Sequence, residues 1–209
     1  IDTERYQPRP EPVALPADLV TPAQHYIGLF GRVRPQKGVD VLVKAALPIL
    51  ARHTDWALMI VGEIKPDEQP FVAKLQLQAK QAGVLDRVVF TGRRPFEELP
   101  RLFACMSIVT ALSRNEGFGL TVLEAMSSAR AVIASRAGAW PDILTPDEDG
   151  LLVDVGDAVG TQIALQRLVI DEHLRRRLAD NARQTVLNHY RVETEADALL
   201  KHYHQLAQL

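Results

Sequence analysis

Two acidic residues, Glu116 and Glu124, flank a Gly117-Phe118-Gly119 turn in the stretch Ser113-Arg-Asn-Glu-Gly-Phe-Gly-Leu-Thr-Val-Leu-Glu-Ala-Met126. Glycines leave the backbone open to a ligand. A helix starting near Gly119 would turn its unpaired N–H groups, that of Leu120 included, toward the same place. Glu116, in the turn, could accept from sugar hydroxyls or face a cationic centre. Glu124, about a turn into the helix, suits a pair of vicinal hydroxyls such as those of a ribose. On spacing alone, a turn acid beside a helix dipole and a helix-surface acid explain the two glutamates equally well.

The loop Gly31-Arg-Val-Arg-Pro-Gln-Lys-Gly38 is the second candidate. It opens a helical pattern, so a helix amino terminus would favour an anion there. Arg32 can fork around phosphate oxygens, and Lys37 adds a point charge. The loop is neither a Walker A sequence nor Gly-x-Gly-x-x-Gly, and a surface turn with incidental basic residues also fits it. Asp147-Glu-Asp149 has the Asp-x-Asp form that can hold a metal, but it lies among turn formers and no second ligand cluster accompanies it. The six histidines show no ligand spacing, and no Gly-x-Ser-x-Gly elbow or Cys/His pair offers a covalent nucleophile. No metal and no cofactor are expected. Cys105, in Leu-Phe-Ala-Cys-Met, reads as a small buried hydrophobe.

The 209 residues suffice for one large domain or two small ones, and 47% of them are apolar. A formal net charge of -2 lacks the basic excess of a nucleic-acid binder, so no nucleic-acid partner is expected. No apolar run approaches the roughly eighteen residues of a membrane helix. One cysteine excludes an internal disulfide framework and fits a reducing compartment, so the cytoplasm is the expected location. A peripheral contact with the inner face of the cytoplasmic membrane stays open.

The elements that must position these loops follow from the apolar pattern. Residues 1–24 are punctuated by Pro8, Pro10, Pro12, Pro16 and Pro22 and read as an interdomain linker arriving from a preceding domain. From His25 onward, short apolar runs alternate with amphipathic stretches, the pattern of repeated βα units. Strands are predicted at Tyr26 to Phe30, Ala57 to Val61, Val88 to Thr91, Ile108 to Ala111, Ala131 to Ala134 and Leu151 to Val153. Helices are predicted over Val39 to Arg52, Pro70 to Ala82 and Pro95 to Ala104, the last two each opened by a proline. Beyond Gly156 come helices at Asp157 to Ile170, His173 to Tyr190 and Glu193 to Gln208. The run Arg175-Arg176-Arg177 reads as a solvated helix face. The fold class is therefore α/β: a Rossmann-like, doubly wound parallel six-stranded sheet flanked by helices, with further helices at the carboxyl terminus. Ligands of such sheets bind outside the carboxyl ends of the strands, where both candidate loops would lie.

Together these residues resemble the carboxyl-terminal, donor-binding half of a retaining glycosyltransferase of the GT-B fold, in family four of the glycosyltransferase classification (group 1). The resemblance rests on Ile1-Asp-Thr-Glu-Arg-Tyr-Gln-Pro8, on Gly31-Arg32 with Lys37-Gly38, on the motif from Glu116 to Glu124, and on Gly138. Within the motif region the chain departs from the family: Ala129-Arg130-Ala131 replaces Gly-x-Pro, Gly138-Ala139 replaces a double glycine, and Asp142 replaces a glutamate.

The resemblance implies that Arg32 and Lys37 hold the donor diphosphate and that Glu124 binds the ribose. It also implies that Glu116 and the backbone at Gly117, Phe118, Gly119 and Leu120 face the sugar and distal phosphate. The segments at Gly31, Gly62-Glu63 and Gly92-Arg93 complete the donor site, the last two near the base. The domain assignment is a linker at 1–24, a donor-binding domain at 25–190 and a crossover helix at 191–209. The acceptor site would lie in an amino-terminal domain absent from this chain, and the isolated chain would catalyse no transfer. Phe30-Gly-Arg-Val-Arg-Pro-Gln-Lys-Gly38 and Ser113-Arg-Asn-Glu-Gly-Phe-Gly-Leu-Thr121 are further similar to bacterial mannosyltransferases of lipopolysaccharide core assembly. That likeness favours GDP-mannose as donor, a UDP-sugar being the alternative, with a glycan or lipid-linked saccharide as acceptor partner. Two other classes stay open: a GT-B epimerase or hydrolase of nucleotide sugars, and a non-catalytic nucleotide-sugar-binding module.

Overall fold

Six strands, all parallel, build one sheet in the order β3-β2-β1-β4-β5-β6 in the computed structural model, which describes residues 1–9, 13–19 and 21–206 and, for Ala198, the backbone alone. The strands are β1 (His25–Phe30), β2 (Trp56–Val61), β3 (Val88–Gly92), β4 (Ile108–Ala111), β5 (Ala131–Ser135) and β6 (Leu151–Val153). Each matches its predicted segment to within a residue at either end. Their continuous apolar runs reflect burial on both faces, which a parallel sheet covered by crossover helices requires.

The helices are α1 (Val39–Arg52), α2 (Gln69–Gln81), α3 (Leu99–Cys105), α4 (Leu120–Ser127), α5 (Trp140–Ile143), α6 (Ala158–Ile170), α7 (Glu172–His189) and α8 (Val192–Leu206). One side of the sheet packs Leu42, Leu50, Leu75 and Leu165 from α1, α2 and α6 against Ile27, Leu58 and Ile60. The other packs Phe103, Leu123, Met126, Trp140 and Val186 from α3, α4, α5 and α7 against Phe30, Met59 and Val109. Neighbouring strand residues feed opposite cores, as the pleat dictates.

Several predicted boundaries are corrected. Pro95 opens a tight turn, in which Glu98 N donates to Pro95 O, and the helix begins only at Leu99, with Pro100 in its first turn. Prolines suit either place because their missing N–H has no partner to lose there. The short helix α5 was not anticipated, since four residues carry no periodicity. Arg175 of the predicted solvated run is buried: it donates to Leu168 O at 2.6 Å and lies over the Trp56 ring. Arg176 and Arg177 do face solvent. Asp147-Glu-Asp149 is a turn, as expected; buried Asp149 accepts from Thr145 N at 2.7 Å and from the Thr185 hydroxyl at 2.8 Å. Ala129, where the family has glycine, adopts a left-handed φ of 51° after α4. A left-handed alanine carries a strain of about 1 kcal/mol.

The described part of residues 1–24 packs on the domain. Tyr6 stacks edge-on against Phe103, and Arg101 donates to the carbonyls of Ala14 and Leu15. The Cys105 thiol points to the carbonyls of Val13 and Ala14, and burial pushes it up to about 11. Pro10 and Pro12 lie outside the described residues, as does the predicted helix end at Gln208. Leu199, Leu200, Tyr203 and Leu206 of α8 are all about half or more exposed, as anticipated for a helix with an apolar face and no covering element among the described residues.

Candidate functional site

The strand order reverses between β1 and β4, the switch point at which sheets of this kind bind ligands in a crevice outside the carboxyl ends of the strands. The two sequence candidates are these loops. They are tied together on the main chain, where Arg114 N donates to Gln36 O at 2.8 Å, and by the Arg114 guanidinium, which grips Asp40 of α1 with both terminal nitrogens at 2.9 and 2.7 Å.

Lys37 and Glu116 meet across the crevice. The ammonium donates to Glu116 Oε2 at 2.6 Å, and the Ser113 hydroxyl donates to the same oxygen at 3.0 Å. Gly117 N approaches Oε1 at 3.2 Å. Burial alone would raise the Glu116 pKa, but Lys37, Ser113 and the Gly117 amide outweigh it and hold the carboxyl below its ordinary value. Glu116 is therefore ionised at neutral pH. Lys37 keeps further N–H donors beyond the one given to Glu116.

The Gly-Phe-Gly turn is supported from the loop after β5. A Cβ on Gly138 would stand 2.3 Å from Glu116 O, so only glycine lets the loops approach this closely. Trp140 of α5 donates from its indole to Gly119 O at 3.2 Å. The side chains of Phe118 and Leu120, by contrast, are more than half exposed on the rim.

Arg32 is held from the other side, by the loop after β2. Its Nε donates to Glu68 Oε1 at 2.9 Å, and Glu68 is buried in a short 3-10 turn (Pro66–Glu68). A Cβ on Gly62 would lie 1.9 Å from Gly31 O, which fixes the first two loops in contact. Arg93 is exposed in the loop after β3, beside a cavity of about 470 Å³ that it lines with Arg94, Phe96 and Leu99.

Glu124 sits apart from the Lys37–Glu116 pair. It lies on α4 next to Arg5 and Tyr6 of the arriving segment; burial raises its pKa, against the Tyr6 hydroxyl and the Arg5 charge. The Tyr6 hydroxyl, beside Glu124, and Arg5 Nε are buried without meeting hydrogen-bond geometry to any partner. Among the described residues, no hydrogen bond or ion pair joins Glu124 or Arg93 to the central pair. The structure thus brings Gly31, Arg32, Lys37, Gly62 and the Glu116–Leu120 turn to one rim, and leaves Glu124 and Arg93 on its flanks.

The family model for glycosyl transferases group 1 matches residues 18–185. This chain belongs to the glycosyl transferase group 1 family. It is 36% identical over 185 residues to the lipopolysaccharide core biosynthesis mannosyltransferase LpcC of Rhizobium leguminosarum bv. viciae, covering 88% of this chain and 52% of that protein. It is 30% identical to LpsB, a mannosyltransferase of the same description from Rhizobium meliloti, over 99% of this chain and 59% of the relative. The chain therefore spans a little over half the length of these curated relatives. Among solved structures, the C-terminal domain of LpcC from Francisella tularensis superimposes with a TM-score of 0.87 at 35% identity, covering 92% of this chain and 99% of that one. HepE of Anabaena, solved with UDP and glucose, gives 0.85 at 25% identity, over all of this chain and 55% of its own. The fold is that of the C-terminal half of a GT-B glycosyltransferase.

Several residues of this glycosyltransferase half escaped the sequence reading. Glu68 and Trp140 carry no local motif, and each matters only through a loop distant in sequence. Ser113 and Arg114 lay inside the quoted motif, and Asp40 in the helix predicted after the basic loop, without a visible role. A cavity of about 710 Å³ runs beneath the arriving segment between Leu15, Tyr26, Cys105 and Arg130, away from the rim. Among the described residues no group of three or more metal-ligating side chains gathers, and no helix is long and apolar enough to cross a membrane.

Proposed function

We propose that the crevice between the β1 and β4 loops binds the diphosphate of a nucleotide sugar, and that this chain is the donor-binding half of a hexosyltransferase. The observation that carries the reading is the convergence of Arg32 and Lys37 on one rim. Lys37 is held there by Glu116, and the rim is shaped by glycines that admit a ligand against bare backbone. As the glycosidic bond breaks, negative charge grows on the leaving diphosphate. Fixed cations and helix N–H groups at α4 favour that state over the ground state. Glu116, kept ionised, faces the sugar, and Gly117 to Leu120 line its side of the pocket. Glu124 takes the ribose, while the loops at Gly62 and Arg93 approach the base.

Likeness to the two core mannosyltransferases supports mannose as the sugar, GDP-mannose as the donor and a lipopolysaccharide core glycan as the acceptor. HepE holds UDP, so the base is the point to test. We further propose retention at the anomeric carbon, with attack from the face the diphosphate leaves. Residues 1–24 act as the interdomain linker and 191–209 as the crossover helix. The acceptor site is contributed by the part of the relatives that this chain does not span, and the chain alone transfers nothing. Calorimetric titration with GDP, UDP and ADP and their sugars tests the donor. GDP and GDP-mannose are expected to bind most tightly, and a preference for UDP would overturn the mannosyl assignment. The anomeric configuration of the full-length enzyme's product, read by NMR, tests retention.

A further inference from the structure

A buried carboxylate is costly unless its charge and lone pairs are met. Glu68 is 7% exposed, and both its oxygens are engaged: Oε1 accepts from Arg32 Nε at 2.9 Å and Oε2 from Lys65 N at 3.0 Å. The second bond closes the 3-10 turn, so the acid is anchored to the backbone of the loop that follows β2. Arg32 is fixed on its main chain as well. Gly31 N donates to Val61 O and Val33 N to Glu63 O, both at 2.9 Å, so the residues on either side of Arg32 are stitched to the same loop. Arg32 gives Glu68 only its Nε. The terminal nitrogens have no hydrogen-bond partner among the described residues, and the side chain is about one-third exposed at the rim.

A guanidinium has five N–H donors in a rigid plane. Holding one at Nε sets the orientation of the other four. A long, flexible side chain otherwise loses conformational entropy when it binds a ligand, and a pre-set fork avoids that cost. Lys37 shows the contrast: its partner Glu116 belongs to the β4 loop of the proposed site, whereas Glu68 is a buried acid of the loop after β2.

We propose that Glu68 is a positioning residue that orients the Arg32 fork toward the diphosphate, so that it acts on phosphate affinity without touching the ligand. The proposal rests on the reading that Arg32 binds the diphosphate. The test compares Glu68→Ala, Glu68→Gln, Arg32→Ala and the double variant Arg32→Ala/Glu68→Ala, titrated with GDP, GMP and guanosine and with the uridine series in parallel. Thermal unfolding is followed for each. Glu68→Ala is expected to weaken diphosphate binding about tenfold while leaving nucleoside affinity unchanged. Glu68→Gln, which keeps an acceptor oxygen for Arg32 Nε, should recover part of that loss. The double variant should bind no worse than Arg32→Ala, because Glu68 has no other route to the phosphates. Equal losses for diphosphate and nucleoside in both Glu68 variants would mark a purely structural role and overturn the proposal. Tighter diphosphate binding in Glu68→Ala would make Glu68 a competitor for Arg32 and overturn it too. If Arg32→Ala weakens binding while both Glu68 variants are silent, the positioning role alone fails; if Arg32→Ala is itself silent, the diphosphate reading of Arg32 fails with it.

Discussion

At the carboxyl end of the sheet Arg32 and Lys37 meet carboxylates, whereas at the amino end Arg87, Arg130 and Arg183 donate to main-chain carbonyls. Arg87 alone reaches Leu50 O, His53 O and Trp56 O at 2.6, 3.1 and 3.3 Å. Arg183 ties Thr3 O, Tyr6 O and Ser127 O together at 3.3, 3.2 and 2.6 Å. Cations bound to several carbonyls serve as internal cross-links, because each supplies donors to main-chain acceptors from distant parts of the chain. Cations bound to a single carboxylate keep donors for something else. On the proposed reading, the terminal donors left free at the rim, among the described residues, separate Arg32 from the carbonyl-bound arginines at the amino end.

The comparison is most sharply exposed by Lys37→Ala. In the full-length enzyme transfer should fall by about two to three orders of magnitude if, as proposed, Lys37 is a preorganised cation at the leaving group. The melting temperature should hardly move, because a partly exposed ion pair contributes about 1 kcal/mol or less. A large loss of stability with transfer intact would place Lys37 with the amino-end arginines. Arg87→Met should show the reverse. Three carbonyls lose a donor, of which His53 O keeps Trp56 N, so denaturant unfolding should report a loss of about 2–4 kcal/mol, with nucleotide affinity unchanged below the transition.

Glu116 provides a smaller, pH-dependent test. Its folded pKa lies below the ordinary value of 4.5 because Lys37, Ser113 and Gly117 outweigh burial. A depressed carboxyl adds stability that is fully present above about the unfolded value and is lost as pH falls through the folded one. Wild type should therefore lose its advantage over Glu116→Gln on acidification below about pH 4.5, and the two should differ by under about 1 kcal/mol at neutral pH, since solvent reaches the pair. An advantage that grew on acidification would mean that Glu116 is protonated in the folded state and not held by Lys37.

Much of this contrast was legible in the sequence at one end only. The six strands and the loops at Gly31–Gly38 and Ser113–Met126 could be read because apolar runs, glycines and charges lie close together in the chain. Lys37 and Glu116, one from each motif, meet in an ion pair. Glu68 could not be read, because its partner is 36 residues away and the intervening strand hides the register. The same holds for Arg87 and Arg183, whose acceptors are backbone carbonyls that have no residue signature at all. Arg175 shows the general difficulty: a triplet of arginines gives no sign of which one turns inward. The docking of the proline-rich segment was equally hidden, since it depends on Tyr6, Arg101 and Cys105 meeting surfaces built from distant helices.

Cys105 probes that docking with the smallest effect. Its thiol is buried at the end of α3, points to the Val13 and Ala14 carbonyls at 3.4 and 3.6 Å, and has a pKa pushed up to about 11 by burial. The thiolate is the reactive form, so ionisation should become appreciable only as pH rises toward that value. At pH 8, alkylation by iodoacetamide should run at least about a hundredfold slower than for an unperturbed thiol of pKa near 8.5. Cys105→Ala should cost only about 1 kcal/mol, since a weak S–H donor and little volume are lost. Rapid labelling at pH 8 would show that the segment around Val13 lifts away from α3. In that case the amino end would be a loosely held connection, and its arginines would cross-link less of the chain than the carbonyl contacts indicate.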